Sequence, residues 1–315
     1  MTTTAPRRGL ALQACTTPLA QAYDTAMFDL DGVVYVGGRP VPGSPQHIAR
    51  AVAAGITPAF VTNNASRPPA VVAQHLRDLG IECADHDVVT SAQAAARLVA
   101  HRVPRGARVL VVGGAGLVEA LAEHGLVAVS RFDENPAAVV QGFHPDVGWR
   151  LLAEGAAAVD AGLPWVASNT DLTVPTPHGR SPGNGLLVEV IARTTGRTPE
   201  VAGKPESSLF EETLLRVGGR RPLVVGDRLD TDIEGAVRCG ADSLLVMTGV
   251  TDVAVLAAAA PGERPTYLAE DLRGLLQAHP APQVSEHRAR CAGWTAEPVG
   301  DAPRLRGHGD RADAL

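Results

Sequence analysis

Four short segments of this 315-residue chain carry side chains whose types and spacing suit chemistry. The first is Asp29-Leu30-Asp31-Gly32, which ends the apolar run Thr25-Ala26-Met27-Phe28. Residues two apart on an extended strand point the same way, although a turn at Gly32 lets the two carboxylates diverge. Two such acids suit metal binding, acid/base work, or a carboxylate nucleophile that accepts a phosphoryl group. The plainer alternative is an Asp-Gly turn. The second segment, Phe60-Val61-Thr62-Asn63-Asn64, offers a hydroxyl and two amides able to hold phosphate oxygens. The same residues suit the cap of a helix following Pro68-Pro69. The third is Gly203-Lys204-Pro205, and Lys204 is the single lysine among 28 basic residues. A compact ammonium binds phosphate oxygens without the fork geometry of arginine, whereas an ordinary surface lysine is merely solvated. The fourth runs from Val224 through Gly226-Asp227-Arg228-Leu229-Asp230-Thr231-Asp232. Carboxylates this close repel one another unless a cation sits among them, and oxygen donors without histidine or thiolate point to Mg²⁺. Together the four supply what holds a phosphoryl group for in-line attack.

The elements that must position these residues alternate along the chain. Short apolar runs at 26–28, 58–62, 109–112, 138–141, 165–167, 223–225 and 243–246 read as strands. Amphipathic stretches at 45–54, 69–79, 92–100, 117–124, 185–194 and 207–217 read as helices. That alternation predicts an α/β protein built on a parallel sheet, whose carboxyl edge is where ligands bind. Val111-Val112-Gly113-Gly114-Ala115-Gly116 looks like a dinucleotide loop, but Glu119 stands where the third glycine belongs. It is read as a tight strand-to-helix turn.

Composition narrows the classes. A net charge of -6, no dense basic run and only 3% aromatic residues argue against a nucleic-acid partner. No apolar run approaches a membrane span. Cys15, Cys83, Cys239 and Cys291 lack the paired spacing of a zinc or redox motif and read as reduced, incidental thiols of a cytoplasmic protein. Arg7-Arg8 and the short apolar stretch after them look faintly like a secretion leader, but Gln13 interrupts the stretch. Residues 1–22 are expected to form a flexible leader. Residues 281–315, rich in arginine, glycine and proline, are expected to form a flexible tail.

The order FDLDG, VTNN, GKP, GDRLDTD resembles the haloacid dehalogenase-like hydrolases, in particular their p-nitrophenyl phosphatase and phosphoglycolate phosphatase branch. The resemblance covers about residues 23–275. It implies a Rossmann-like doubly wound core, at 23–104 and 199–280, with an inserted α/β cap domain at 105–198. Asn169 and Asp171, with Pro182-Gly183-Asn184-Gly185, resemble the return from cap to core.

By motif position the resemblance implies Asp29 as a nucleophile forming an aspartyl-phosphate, and Asp31 as the acid and then base. It implies Mg²⁺ held by Asp29, the main-chain carbonyl of Asp31 and Asp227, with Thr62, Asn63 and Lys204 on the phosphoryl oxygens. Asp232 would orient Lys204 or a metal-bound water; Asp230 matches no role. Asn169, Asp171, His178 and Arg180 are candidates for substrate choice. The charge logic is independent of the likeness, because a carboxylate attacking a phosphate dianion needs cations to offset repulsion.

The expected activity is a Mg²⁺-dependent phosphomonoesterase for a small phosphorylated metabolite, with glycerol 3-phosphate the first substrate to test. Phosphoglycolate or another sugar or cofactor phosphate is the alternative, followed by phosphotransfer to an acceptor and by a non-catalytic phosphometabolite-binding protein. The family also implies pairing of caps in a homodimer.

Overall fold

The computed structural model describes residues 12–176, 179–285, 288–299 and 302–307. The chain divides into two compact units, one of residues 1–59 with 219–315 and one of residues 60–218.

In the first unit, strands Thr25–Phe28, Pro222–Gly226, Asp242–Val246 and Tyr267–Ala269 pair side by side, all parallel. Their Ala, Val, Leu and Phe side chains are buried on both faces, as a parallel sheet covered by helices requires. Phe28 is fully buried, worth about 1.5–3 kcal/mol. Each of the first two strands ends directly before an aspartate, Asp29 and Asp227.

The expected tail differs from what is seen. Gln283–Ser285, Arg288–Cys291, Trp294–Val299 and Ala302–Gly307 form a four-stranded antiparallel sheet. Its register sets Cys291 opposite Trp294 and Ala289 opposite Ala296 on one face. On the other face, Arg288 pairs with Glu297 at 2.6 Å. Ala292 takes φ 47° in the turn between Cys291 and Trp294. The period of two is short and broken by turns, so the abundance of arginine, glycine and proline concealed it. Of the expected leader, residues 1–11 lie outside the described residues, and Leu19–Ala22 forms a single helical turn.

In the second unit, the end of strand Thr57–Thr62 pairs in parallel with Val88–Thr90. Helix Ser91–Ala100 follows on a capping box: Thr90 N–H donates to Gln93 Oε1 at 3.0 Å, and Gln93 N–H donates to Thr90 Oγ1 at 3.4 Å. A separate α/β cap region holds a five-stranded parallel sheet. Its strand order is Glu200–Val201, Trp165–Ala167, Ala138–Gln141, Arg108–Val112 and Val127–Val129. Helices Trp149–Asp160 and Asn184–Thr195 cover it through Val159, Val188 and Ile191. The glycine-rich turn after Arg108–Val112 leads straight into helix Ala115–Glu123, as read from the sequence. A Cβ on Gly116 would stand 2.4 Å from Ala65 O, so the glycine serves close packing there. An antiparallel hairpin, Thr173–Thr176 with Gly179–Pro182, precedes helix Asn184–Thr195. Among the described residues no helix is long and apolar enough to cross a membrane.

Candidate active site

An acidic cluster is built in the first unit. Asp29 continues the ladder of its strand by donating its N–H to Val225 O at 2.8 Å. The chain then turns tightly: Leu30 O accepts the N–H groups of Val34 at 2.9 Å and Tyr35 at 3.1 Å. Gly32 sits at φ +91°, a conformation side chains disfavour, and donates its N–H to Tyr35 O at 2.8 Å. This turn separates the two acids. Asp29 is half-buried, whereas Asp31 is exposed.

Asp227 leaves strand Pro222–Gly226 fully buried, and a π-helical turn, Leu229–Ile233, brings Asp232 back beside it. Arg228 N–H donates to Asp232 Oδ2 at 3.2 Å. A Cβ on Gly226 would stand 2.2 Å from the Asp232 Cβ, so the missing side chain is what admits Asp232. One carboxylate oxygen from each of Asp29, Asp227 and Asp232 lies within 4.8 Å of the other two. Two of these acids are almost wholly shielded from water, Asp227 at 0% exposure and Asp232 at 1%.

Three carboxylates in that volume repel strongly unless a cation is among them. The donors are all hard oxygens, without histidine or cysteine, so the set fits Mg²⁺ and, by its chemistry, Ca²⁺. The two carboxylates expected to hold metal, those of Asp29 and Asp227, lie together in this cluster. The Asp232 carboxylate, expected only in an orienting role, joins them; Asp31 is expected to act through its main-chain carbonyl, so its exposed carboxylate has no part in this cluster.

Asp230 points elsewhere. Its carboxylate accepts from Arg228 Nε at 3.0 Å and a terminal guanidinium nitrogen at 2.7 Å. That hydrogen bond, together with the guanidinium charge, holds its carboxyl below the usual range despite partial burial. The acid that lacked a role in the sequence pairs with its neighbour.

The second unit assembles a polar cluster of its own. Thr62 ends strand Thr57–Thr62 and Asn63 follows it, both buried, and Thr62 Oγ1 accepts the N–H of Asn64 at 3.1 Å. Asn64 Oδ1 turns away to accept from Ser66 N at 2.9 Å and Ser66 Oγ at 2.6 Å. Asn63 Oδ1 accepts the main-chain N–H of Lys204 at 2.8 Å. Its Nδ2 donates to Lys204 O at 3.1 Å and to the Asp171 carboxylate at 3.2 and 3.3 Å. Both amide hydrogens are thus engaged, so the side chain that looked able to hold phosphate holds the lysine segment instead. Lys204 itself is buried, at 4% exposure.

Two of the substrate candidates belong to the same knot. Asn169 donates to Asn63 O at 2.7 Å and accepts the Asp171 N–H at 3.1 Å. Asp171 accepts from Asn63. Arg180 is exposed on strand Gly179–Pro182, and His178 lies outside the described residues.

Sequence reasoning missed several supporting residues. Val250 N–H donates to Asp227 Oδ2 at 2.6 Å, and Thr248 Oγ1 donates to Gly32 O at 2.6 Å. Their only signal was Thr248-Gly249 just past a predicted strand. Asn184, which donates to Asn169 O at 2.7 Å, and Ser91, which donates to Asn63 O at 2.5 Å, had the look of helix starts.

Comparison with known proteins agrees with this architecture. A family model described as haloacid dehalogenase-like hydrolase matches residues 26–127, and a second, HAD-hydrolase-like, matches residues 201–275. D-glycerol 3-phosphate phosphatase of Mycobacterium tuberculosis is 45% identical over 94% of this chain and 82% of its own length. An acid sugar phosphatase of Staphylococcus aureus is 36% identical over 73% of this chain and 88% of its own. The crystal structure of the glycerol phosphate phosphatase of M. tuberculosis in complex with magnesium superposes with a TM-score of 0.85. That match has 44% identity and covers 95% of this chain and 91% of that one. With two strand-end aspartates in a buried acidic cluster, a parallel α/β core and a separate α/β cap, the chain belongs to the haloacid dehalogenase-like hydrolase family, as a phosphatase.

Proposed function

We propose that this phosphatase hydrolyses the monoester of a small phosphorylated metabolite through an aspartyl-phosphate on Asp29, with glycerol 3-phosphate the first candidate. The observation that carries the reading is the cluster of Asp29, Asp227 and Asp232, whose oxygens lie within 4.8 Å of one another. Such a cluster calls for a divalent cation and sets two of its acids, Asp29 and Asp227, at the ends of strands. The magnesium-bound relative and the 45% identity to a D-glycerol 3-phosphate phosphatase support the cofactor and the substrate.

The cofactor is Mg²⁺, which when bound offsets the charge of a carboxylate meeting a phosphate dianion. Asp29 and Asp227 would hold it through their carboxylates and Asp31 through its main-chain carbonyl. Asp232, whose carboxylate belongs to the same cluster, would help hold the ion or orient Lys204 or a metal-bound water.

In the proposed reaction an oxygen of Asp29 attacks phosphorus and the ester P–O bond breaks. Asp31 gives its proton to the leaving alcohol, then takes one from the water that hydrolyses the acyl phosphate. Exposure of Asp31 suits a group that exchanges protons with substrate and water. The Thr62 hydroxyl, the Asn63 main-chain N–H and the Lys204 ammonium are assigned to the phosphoryl oxygens. Asn63 acts there by its main chain because both of its amide hydrogens are engaged.

Arg180 and His178 remain assigned to substrate choice, and the cap is taken as residues 105–198 with the edge strand Glu200–Val201 of its sheet just beyond. We place the enzyme in the cytoplasm, in keeping with its four free cysteines, and as a homodimer through its cap.

The test is phosphate release from a panel of phosphomonoesters, with and without Mg²⁺. The panel includes glycerol 3-phosphate, phosphoglycolate, sugar phosphates and cofactor phosphates, and an alcohol acceptor is added in a second arm. Mg²⁺-dependent release with glycerol 3-phosphate preferred is the expected result. Preference for another ester overturns the substrate, acceptor phosphorylation exceeding hydrolysis overturns the reaction type, and no release from any ester overturns the enzymatic reading.

A further inference from the structure

The Asn63 carboxamide meets both main-chain polar groups of one residue, Lys204. Oδ1 accepts the lysine N–H at 2.8 Å and Nδ2 donates to the lysine C=O at 3.1 Å. A side-chain amide thereby pairs with a peptide unit as a neighbouring strand would. Asn63 and Lys204 are both buried, at 9% and 4% exposure, so water replaces these bonds poorly.

The orientation of the amide is itself determined. The second hydrogen of Nδ2 faces the Asp171 carboxylate at 3.2 and 3.3 Å, and an ionised carboxylate only accepts. A flipped amide would set oxygen against both Asp171 and the Lys204 carbonyl, and NH₂ against the Lys204 N–H. One orientation satisfies all three neighbours. The base of the clamp is tied as well, since Asn63 O accepts from Ser91 Oγ at 2.5 Å and Asn169 Nδ2 at 2.7 Å. Gly203 completes the fit: a Cβ there would stand 2.5 Å from Ser168 O and 2.6 Å from Asn63 Oδ1.

We infer that Asn63 is a positioning residue that presents Lys204 to the phosphoryl group, with Asp171 fixing the orientation of the Asn63 amide. The inference rests on the assignment of Lys204 to the phosphoryl oxygens. Asp171, a candidate for substrate choice in the sequence, is thereby given a different task.

The test uses the full chain with Mg²⁺ and p-nitrophenyl phosphate, reading kcat, KM, the inhibition constant of inorganic phosphate and the half-saturating Mg²⁺ concentration. Lys204→Ala is expected to lower kcat/KM by about 100-fold or more. Asn63→Asp, which removes both donors at constant shape, is expected to lower it by about 10- to 100-fold and to weaken phosphate inhibition. Half-saturating Mg²⁺ should stay put, whereas a general loss of structure would move it too.

In the Lys204→Ala background Asn63→Asp should change kcat/KM by less than about 3-fold, because two residues acting through one group are not additive. Adding Asp171→Asn should restore part of the Asn63→Asp loss, since the amide introduced at position 171 then donates to the new carboxylate. An Asn63→Asp variant with unchanged kinetics, or losses that multiply with those of Lys204→Ala, overturns the inference. Unchanged kinetics and phosphate inhibition in Lys204→Ala alone overturn instead the assignment of the lysine.

If Asn63→Asp does not fold, Asp171→Asn takes its place in the same cycle. The expected loss there is about 3- to 10-fold, absent in the Lys204→Ala background; no loss, or an additive one, overturns the inference.

Discussion

The carboxylate of Asp227 leaves no room for a side chain on Gly249: a Cβ built there would stand 1.9 Å from Asp227 Oδ2. The same oxygen accepts the N–H of Val250 at 2.6 Å. A Cβ on Gly32 would approach it to 2.5 Å from another direction. Asp227 is thus seated between two glycines, with a main-chain donor fixing its oxygen. Gly249→Ala should push the carboxylate out of its seat while the fold survives, because Gly249 is exposed and outside any strand or helix. The expected outcome is a rise in the half-saturating Mg²⁺ concentration of about 10- to 100-fold. Recovery of kcat at saturating metal would accompany it. Titration of phosphatase activity with Mg²⁺ checks this, and an unchanged half-saturation point contradicts the seating.

Asp29→Asn preserves shape but removes the nucleophilic charge. We expect kcat to fall by about 10⁴-fold or more, with a thermal midpoint no lower than that of the parent. The midpoint can even rise, because one of three mutually repelling carboxylates is gone. Turnover within 10-fold of the parent would sink the nucleophile assignment.

Asp31→Asn separates the two steps assigned to that acid. Loss of the proton donor should matter most for esters of poor leaving groups. Glycerol 3-phosphate should therefore suffer about 10²-fold or more, and p-nitrophenyl phosphate less, since p-nitrophenolate leaves without a proton. Loss of the base slows the second step for both, so the aspartyl-phosphate should build up and a burst of p-nitrophenol should precede the steady state. Equal losses for the two esters, without a burst, contradict a role as acid and base.

How far the sequence disclosed this protein depended on the range of the interactions. Buried parallel strands are nearly continuous apolar runs, so all seven expected strands fall within observed ones, as with 138–141 and Ala138–Gln141. Helix starts were legible where proline or a capping residue marks them, as at Pro69–Asp78. The strand-end acids Asp29 and Asp227 were legible for the same reason, since each interrupts an apolar run. What the sequence concealed lies in contacts between distant segments. Asn63 and Lys204 are 141 residues apart, and nothing in either motif says that one holds the main chain of the other. Asp232 was read as an accessory because chain order does not show a π-helical turn folding it back toward Asp227. The antiparallel sheet of residues 283–285, 288–291, 294–299 and 302–307 was missed because four strands of three to six residues leave too few positions for a period to emerge.

At the amino ends of strands Thr25–Phe28, Asp242–Val246 and Tyr267–Ala269, Tyr23 donates its hydroxyl to Asp242 Oδ2 at 2.9 Å and lies 3.0 Å from the Tyr267 hydroxyl. Burial first, then the hydrogen bond with Tyr267 and the charge of Asp242, push the Tyr23 phenol far above its usual range. Burial also raises Tyr267 and pushes the Cys83 thiol up from 9.0 to about 11. Each group keeps in the folded chain a proton that the unfolded chain releases at lower pH. Their stabilisation is therefore complete below the unfolded values and is lost as pH rises through the folded ones. The thiol acts from about pH 9 to about 11, and the phenols from about pH 10 upward. The thermal midpoint should hold level from about pH 7 to 9 and decline above that. Tyr23→Phe should lower stability at pH 7 by about 1–2 kcal/mol through the lost hydrogen bonds. It should also reduce the decline above pH 10, because one of the retained protons is gone. Denaturation followed by circular dichroism across pH 7–11 checks both; a parent and variant that decline in parallel above pH 10 exclude Tyr23 as a source of the alkaline loss.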